Sequence, residues 1–180
     1  IGGEFTFLAV GRFKPAKDYG LMLEAFARLR ERRESEGRLP VRLLIAGGGA
    51  LLEEMRSVAR ARGLEEAVSF LGKRADVPAL MQAADAYVMS SAWEGMPVVL
   101  LEAAASGLPL VATDVGGNRE VLRSEEIGYL VPPGDPAALA DALERLVELP
   151  EERRWAMGRA ARELVESEYS LERVVSDWEA

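Results

Sequence analysis

Six short, almost wholly apolar runs alternate with longer stretches of helical periodicity, and this alternation restricts the fold of the chain more than any other feature. The runs are Phe5 to Val10, Val41 to Ala46, Val68 to Leu71, Ala86 to Met89, Leu110 to Ala112 and Gly128 to Val131. A strand apolar on both faces needs cover on both faces, which points to a parallel sheet rather than to hairpins. Helical patterns fill the gaps: Tyr19 to Arg33, with Met22, Ala25, Phe26 and Leu29 on one face, then Ala50 to Arg62, Val77 to Ala84, Pro97 to Ala105 and Asn118 to Arg123. Beyond the last strand, Asp135-Pro136 reads as an N-cap followed by an N1 proline, and Leu139, Leu143, Leu146 and Val147 form a stripe. Pro150-Glu151-Glu152 opens another helix, and Ser170 caps a last one carrying Leu171, Val174, Val175 and Trp178. Repeated strand–helix units with right-handed crossovers give a Rossmann-like, doubly wound α/β sheet. Residues 1–180 read as one domain, without internal repeat or linker. In such sheets ligands gather outside the carboxyl ends of the strands. The residues just after each strand are therefore the informative ones.

Composition limits what those residues can do. The chain has no Cys and no His. That excludes a thiol nucleophile, a disulfide framework and the Ser-His-Asp triad, and removes the commonest transition-metal ligand. Chemistry must run on carboxylates, Lys and Arg, hydroxyls and backbone groups. The net charge is -8, which argues against a nucleic-acid groove but not against a small anion held by a few local cations. No apolar run is long enough to span a membrane and no signal-peptide core is present, which reads as a soluble, cytoplasmic chain. The opening Ile1-Gly2-Gly3 lacks a methionine and leads at once into a strand, as expected of a piece of a longer protein.

Four strand ends carry candidate residues. After the first comes Gly11-Arg12-Phe13-Lys14-Pro15-Ala16-Lys17. Gly11 lets backbone and ligand approach, and Arg12 and Lys17 flank a loop leading into a helix, a combination that suits a diphosphate. Two solvated cations would look the same. After the second comes Gly47-Gly48-Gly49, a partial dinucleotide fingerprint with Leu52 in place of its third glycine and no acid where ribose would be held. A tight turn explains it equally well. After the third, Lys73 and Arg74 either edge a base pocket or are simply exposed. After the fourth comes the strongest segment, Ser90 to Gly107. Glu94 lies in its loop before Gly95, and Pro97 is placed as the first helical residue. Glu102 lies among Val98, Val99, Leu100, Leu101 and Ala103 to Ala105, so it is expected to be buried. A carboxylate there needs a partner, either ribose hydroxyls or an Arg. At a rise of ~1.5 Å per residue it lies about 7–8 Å from the helix start, which matches phosphates at the helix N-terminus and ribose at Glu102.

With these residues in view, the chain resembles the C-terminal, donor-binding domain of a retaining GT-B glycosyltransferase of family 4, the glycosyltransferases group 1. The resemblance rests on GRFKPAKDYGLMLEAFARL, LLIAGGG, the block from VSFLGKR through EGMPVVLLEAAASGLP to GGNREVL, and GYLVPPGDPAALADALERL. It runs over nearly the whole chain. The seven-residue gap between Glu94 and Glu102 in its setting is the diagnostic part. The resemblance implies that Arg12 and Lys17 hold the donor diphosphate and that Glu94 lies beside the donor sugar and the reacting centre. Gly95, Met96, Pro97 and Val98 would present backbone to sugar and phosphates, and Glu102 would bind the ribose hydroxyls. Gly11, Lys73 and Arg74 would belong to the nucleotide site, the last two mainly through backbone. It also implies metal-independent transfer with retention, a UDP or GDP sugar as donor substrate and no separate cofactor. The acceptor-binding N-terminal domain would lie outside this chain, leaving the isolated domain inactive alone, and the full-length protein would have room for peripheral membrane association. Two other readings stay open on the residues: a nucleotide-sugar epimerase of the same shape, and a non-catalytic nucleotide-binding or interaction domain. Dinucleotide oxidoreduction ranks behind both, because the fingerprint lacks its third glycine and its acid.

Overall fold

The computed structural model describes residues 4–170. Six strands form one sheet: β1 (Phe5–Val10), β2 (Val41–Ala46), β3 (Val68–Gly72), β4 (Ala86–Met89), β5 (Leu110–Thr113) and β6 (Gly128–Val131). Their order is β3-β2-β1-β4-β5-β6, with every neighbouring pair parallel. This is the doubly wound Rossmann-like arrangement expected from the sequence. The order reverses between β1 and β4, whose pairing is short: Phe7 lies opposite Ala86 and Leu8 opposite Tyr87.

The apolar strands are buried on both faces because successive side chains enter different cores. Phe7, Ala9, Val88 and Val111 join the layer of α1 (Tyr19–Ser35), α2 (Leu52–Ala61) and α6 (Pro136–Glu148). Leu8, Tyr87, Met89, Leu110 and Ala112 join the opposite core, with α3 (Val77–Ala83), α4 (Val98–Ala105) and α7 (Glu151–Glu168). Each large apolar side chain removed from water here contributes roughly 1.5–3 kcal/mol, which is why continuous apolar runs are placed reliably. α5 is the short piece Asn118–Val121.

Local signals also hold. Asp135 accepts from the amides of Ala137 (3.0 Å) and Ala138 (2.9 Å), with Pro136 opening α6. Several boundaries move by one or two residues, among them those of α2, α4 and α5. α2 starts at Leu52 because the preceding residues are tied to the β1 loop: Phe13 N–H donates to Gly48 O and Leu51 N–H to Phe13 O. Pro97 is the N-cap of α4 and not its first helical residue. α5 stops at Val121, with Leu122 already outside helical geometry. The helix expected after Ser170, with Leu171, Val174, Val175 and Trp178, lies outside the described residues.

Candidate functional site

The reversal between β1 and β4 brings two loops together. The β1 loop runs from Gly11 to Asp18. Pro15, Ala16 and Lys17 form a single 3-10 turn, and Asp18 takes a left-handed conformation (φ 40°) while its side chain caps α1 at the Leu21 amide, 3.1 Å away. The β4 loop runs from Ser90 to Pro97 and is sewn to that turn. Ser90 Oγ lies 2.9 Å from both Lys17 O and Asp18 O, and Ala92 N–H donates to Ala16 O.

The seam places Lys17 against Glu94. Lys17 Nζ donates to Glu94 Oε1, and Ser91 Oγ donates to the same oxygen at 2.6 Å. Both charged side chains are only 13% exposed. Below the pair lie two buried tyrosines. Burial, then the Glu94 charge, pushes the Tyr19 hydroxyl well above its ordinary value. Burial, then Tyr19, Glu94 and Glu102, does the same to Tyr87, whose hydroxyl donates to Val10 O at the end of β1. Glu94 and Glu102 thus both act electrostatically on this end of the sheet.

The β4 loop rests on the loop that follows β5. A methyl group on Gly116 (φ 47°) would lie 1.9 Å from Glu94 O, so only glycine allows this approach. Gly117 N–H donates to Gly95 O, Thr113 Oγ1 to Ser91 O at 2.6 Å, and Asn118 Nδ2 to Thr113 O at 2.9 Å.

The other expected residues spread around this seam. Gly11 N–H donates to Ala46 O. A methyl there would lie 3.0 Å from the Tyr19 hydroxyl and 3.1 Å from Lys17 Cε. Gly11, Arg12, Lys73 and Arg74 line a cleft of about 360 Å³ with Gly47, Gly48 and Val77. Arg12 and Lys73 are exposed and have no side-chain hydrogen bond or ion pair among the described residues. Arg74 instead forks onto Asp76, with its Nε 2.7 Å from Oδ1. Pro97 is buried, whereas Met96 and Val98 are 57% and 59% exposed and neighbouring Trp93 is 61% exposed. Gly95 is exposed as well.

Glu102 departs from expectation. It is exposed, with neither an Arg partner nor a side-chain hydrogen bond among the described residues. α4 buries Leu100, Ala103 and Ala104, but Val98, Glu102 and Ala105, spaced along one stripe, face solvent. The helix is apolar nearly all round yet covered on only part of its circumference, so the carboxylate is available to a ligand.

Sequence reasoning missed the supports. Ser90, Ser91, Thr113, Asn118 and Gly116 hold the Lys17 and Glu94 loops in place, and only Ser90, Ser91 and Thr113, directly after strands, carried a signal from position. A hollow of about 510 Å³ between β6 and α6 is lined by Tyr129, Asp141 and Arg145 among others and contains none of the expected residues.

A family model for glycosyl transferases group 1 matches residues 1–164. The chain belongs to this family. Among its curated relatives is the phosphatidyl-myo-inositol mannosyltransferase of Mycobacterium leprae, 42% identical over 146 residues, covering 79% of this chain and 37% of that protein. The chain spans less than half the length of the curated relatives it matches. HepE of Anabaena, crystallised with UDP and glucose, is 26% identical with a TM-score of 0.81, over 91% of this chain and 44% of that one. The C-terminal domain of LpcC, a glycosyl transferase group 1 family protein of Francisella tularensis, is 25% identical with a TM-score of 0.82, over 95% of this chain and 89% of that one. The group 1 fold thus accounts for the whole described sheet. No helix among the described residues is long and apolar enough to cross a membrane.

Proposed function

We propose that the chain binds a nucleoside-diphosphate sugar at the β1–β4 reversal and that the full-length protein transfers the glycosyl group to an acceptor with retention of configuration. The observation that carries this reading is the meeting of Lys17 and Glu94, 77 residues apart, at the carboxyl ends of the two central strands. Family membership and the UDP and glucose bound by HepE support it. Arg12 and Lys17 neutralise the diphosphate, together with the positive end of the α4 dipole. The nucleoside lies in the cleft edged by Lys73 and Arg74, with Glu102 accepting from the ribose hydroxyls. Glu94, with Gly95, Met96, Pro97 and Val98, faces the sugar.

Cleavage of the sugar–phosphate bond leaves the electron pair on the departing phosphate oxygen. The cations stabilise that charge as it develops, which needs neither His nor Cys nor a resident metal. The acceptor then bonds to the sugar carbon and loses its hydroxyl proton, to the departing phosphate in this reading. The acceptor site belongs to sequence outside this chain, so the isolated domain binds donor without transferring it. Calorimetric titration with UDP, GDP and their sugars tests the donor site. One nucleotide is expected to bind with one site per chain and to weaken at least tenfold in Glu102→Ala. Absence of binding by all of them to folded protein would overturn the reading.

A further inference from the structure

Of the cations around the proposed donor site, Arg74 is paired at the exposed cleft edge by Asp76, whereas Lys17 is neutralised from within the nearly buried seam by Glu94. The Lys17 ammonium rests on Glu94 Oε1, which Ser91 also holds, while Arg12 and Lys73 have no side-chain partner among the described residues. A carboxylate on an ammonium and a phosphate on an ammonium are the same kind of contact. Glu94 therefore occupies on Lys17 the place that a diphosphate needs. The loop backbone has little room to retreat, because Gly116 packs against Glu94 O and Gly117 binds Gly95 O. The side chain must yield, or the two anions must share one nearly buried cation. Repulsion between like charges is strong where water is excluded.

The two states of the nucleotide differ at this point. A bare nucleoside diphosphate has a terminal phosphate that gains a second negative charge near neutral pH. Once ionised, that phosphate has nothing to donate to a displaced carboxylate. A nucleoside-diphosphate sugar carries less charge and brings hydroxyl groups that donate hydrogen bonds to Glu94 in place of Lys17 and Ser91.

We propose that Glu94 is a specificity element that discriminates against the bare nucleoside diphosphate in favour of the sugar-bearing donor, and so helps expel the product once the sugar has left. This rests on the donor site proposed above and adds a direction to it. Specificity here comes from a built-in repulsive element as much as from attraction.

The test is calorimetric titration of the chain and of Glu94→Gln with UDP, GDP and their glucose and mannose esters. The amide keeps the size of the side chain and removes its charge. Glu94→Gln is expected to bind the preferred bare diphosphate about tenfold more tightly than the parent, while its affinity for the sugar ester does not rise. The preference for donor over product then shrinks or inverts. Equal or weaker binding of the bare diphosphate by Glu94→Gln overturns this inference and leaves the donor site standing. Absence of binding by either protein to any of these ligands overturns the donor site itself. If thermal unfolding shows that the amide variant does not fold, Glu94→Ser replaces it with the same outcomes.

Discussion

Two nearly buried ion pairs in this chain use the same chemistry and differ in what surrounds them. Arg33, near the end of α1, donates through Nη1 to Glu144 (2.8 Å) and Glu148 (2.7 Å) on α6 and through Nε to Leu39 O (2.9 Å). Each part of the guanidinium used here has a protein acceptor, and both ends sit on long helices. Lys17 closes a single 3-10 turn and meets Glu94 in a second loop, between exposed Trp93 and Met96 and the unpaired Arg12. The first pair fastens one helix to another. The second is held by loops at the reversal of strand order and is bordered by cations and apolar groups that lack partners. Burial of an ion pair therefore says little about function. What separates the two is that the second is bordered by unpaired cations and exposed apolar groups, whereas the first is closed between two helices, with Glu144 Oε2 its one unpartnered buried oxygen among the described residues.

The sharpest way to break this contrast is to remove the cation from each pair. Arg33→Met leaves Glu144 and Glu148 with only the more exposed Arg38 between them, and breaking such a buried pair costs about 3 kcal/mol of stability by urea unfolding. Nucleotide affinity of the folded fraction stays within about twofold. Lys17→Met reverses the pattern. Affinity for the preferred nucleoside diphosphate falls about thirtyfold or more, and the stability loss is smaller than in Arg33→Met, about 1–2 kcal/mol, because Glu94 keeps its hydrogen bond from Ser91. Similar stability losses in both variants would erase the distinction.

Gly116→Ala sharpens it next. The added methyl meets Glu94 O at 1.9 Å in a left-handed backbone, for a cost of roughly 1–3 kcal/mol. Nucleotide-sugar binding weakens because the Glu94 loop is pushed aside, while the Arg33 network is untouched. Calorimetry and unfolding on the same sample check both halves.

The smallest effect concerns pH. Hydrogen bonding to Arg33, the largest cause, holds the Glu148 carboxyl below its ordinary value of 4.5. A lowered value means that the stabilisation is fully present above pH 4.5 and is lost as pH falls through the lowered value. The parent is therefore expected to lose stability more steeply below that pH than Arg33→Met. Glu148 is half exposed, so the difference in slope is modest. Parallel acid-unfolding curves would remove Glu148 from the account.

Much of the fold was legible because its strands are apolar on both sides. Val41–Ala46 and Ala86–Met89 could be bounded to the residue. The site was legible as a set and not as a geometry. Lys17 and Glu94 are named by their positions after strands, but their contact depends on a 3-10 turn and on Ser90 and Ala92, which join the two loops. No local pattern encodes a contact between residues 77 positions apart. Glu102 shows the opposite limit. An apolar helix looks buried from composition, yet which stripe remains open depends on what the sheet and α7 cover. Gly116 stands in the quoted GGNREVL, but its purpose appears only when Glu94 O is seen against it.

The central claim is that nucleotide and sugar are bound at the β1–β4 reversal, and a crystal structure of the chain soaked with the UDP or GDP sugar that binds best tests it most directly. The account predicts the diphosphate between Arg12 and Lys17, the ribose hydroxyls within hydrogen-bonding distance of Glu102 and the sugar beside Glu94. A nucleotide found instead in the hollow between β6 and α6, with Lys17 still resting on Glu94, would contradict it.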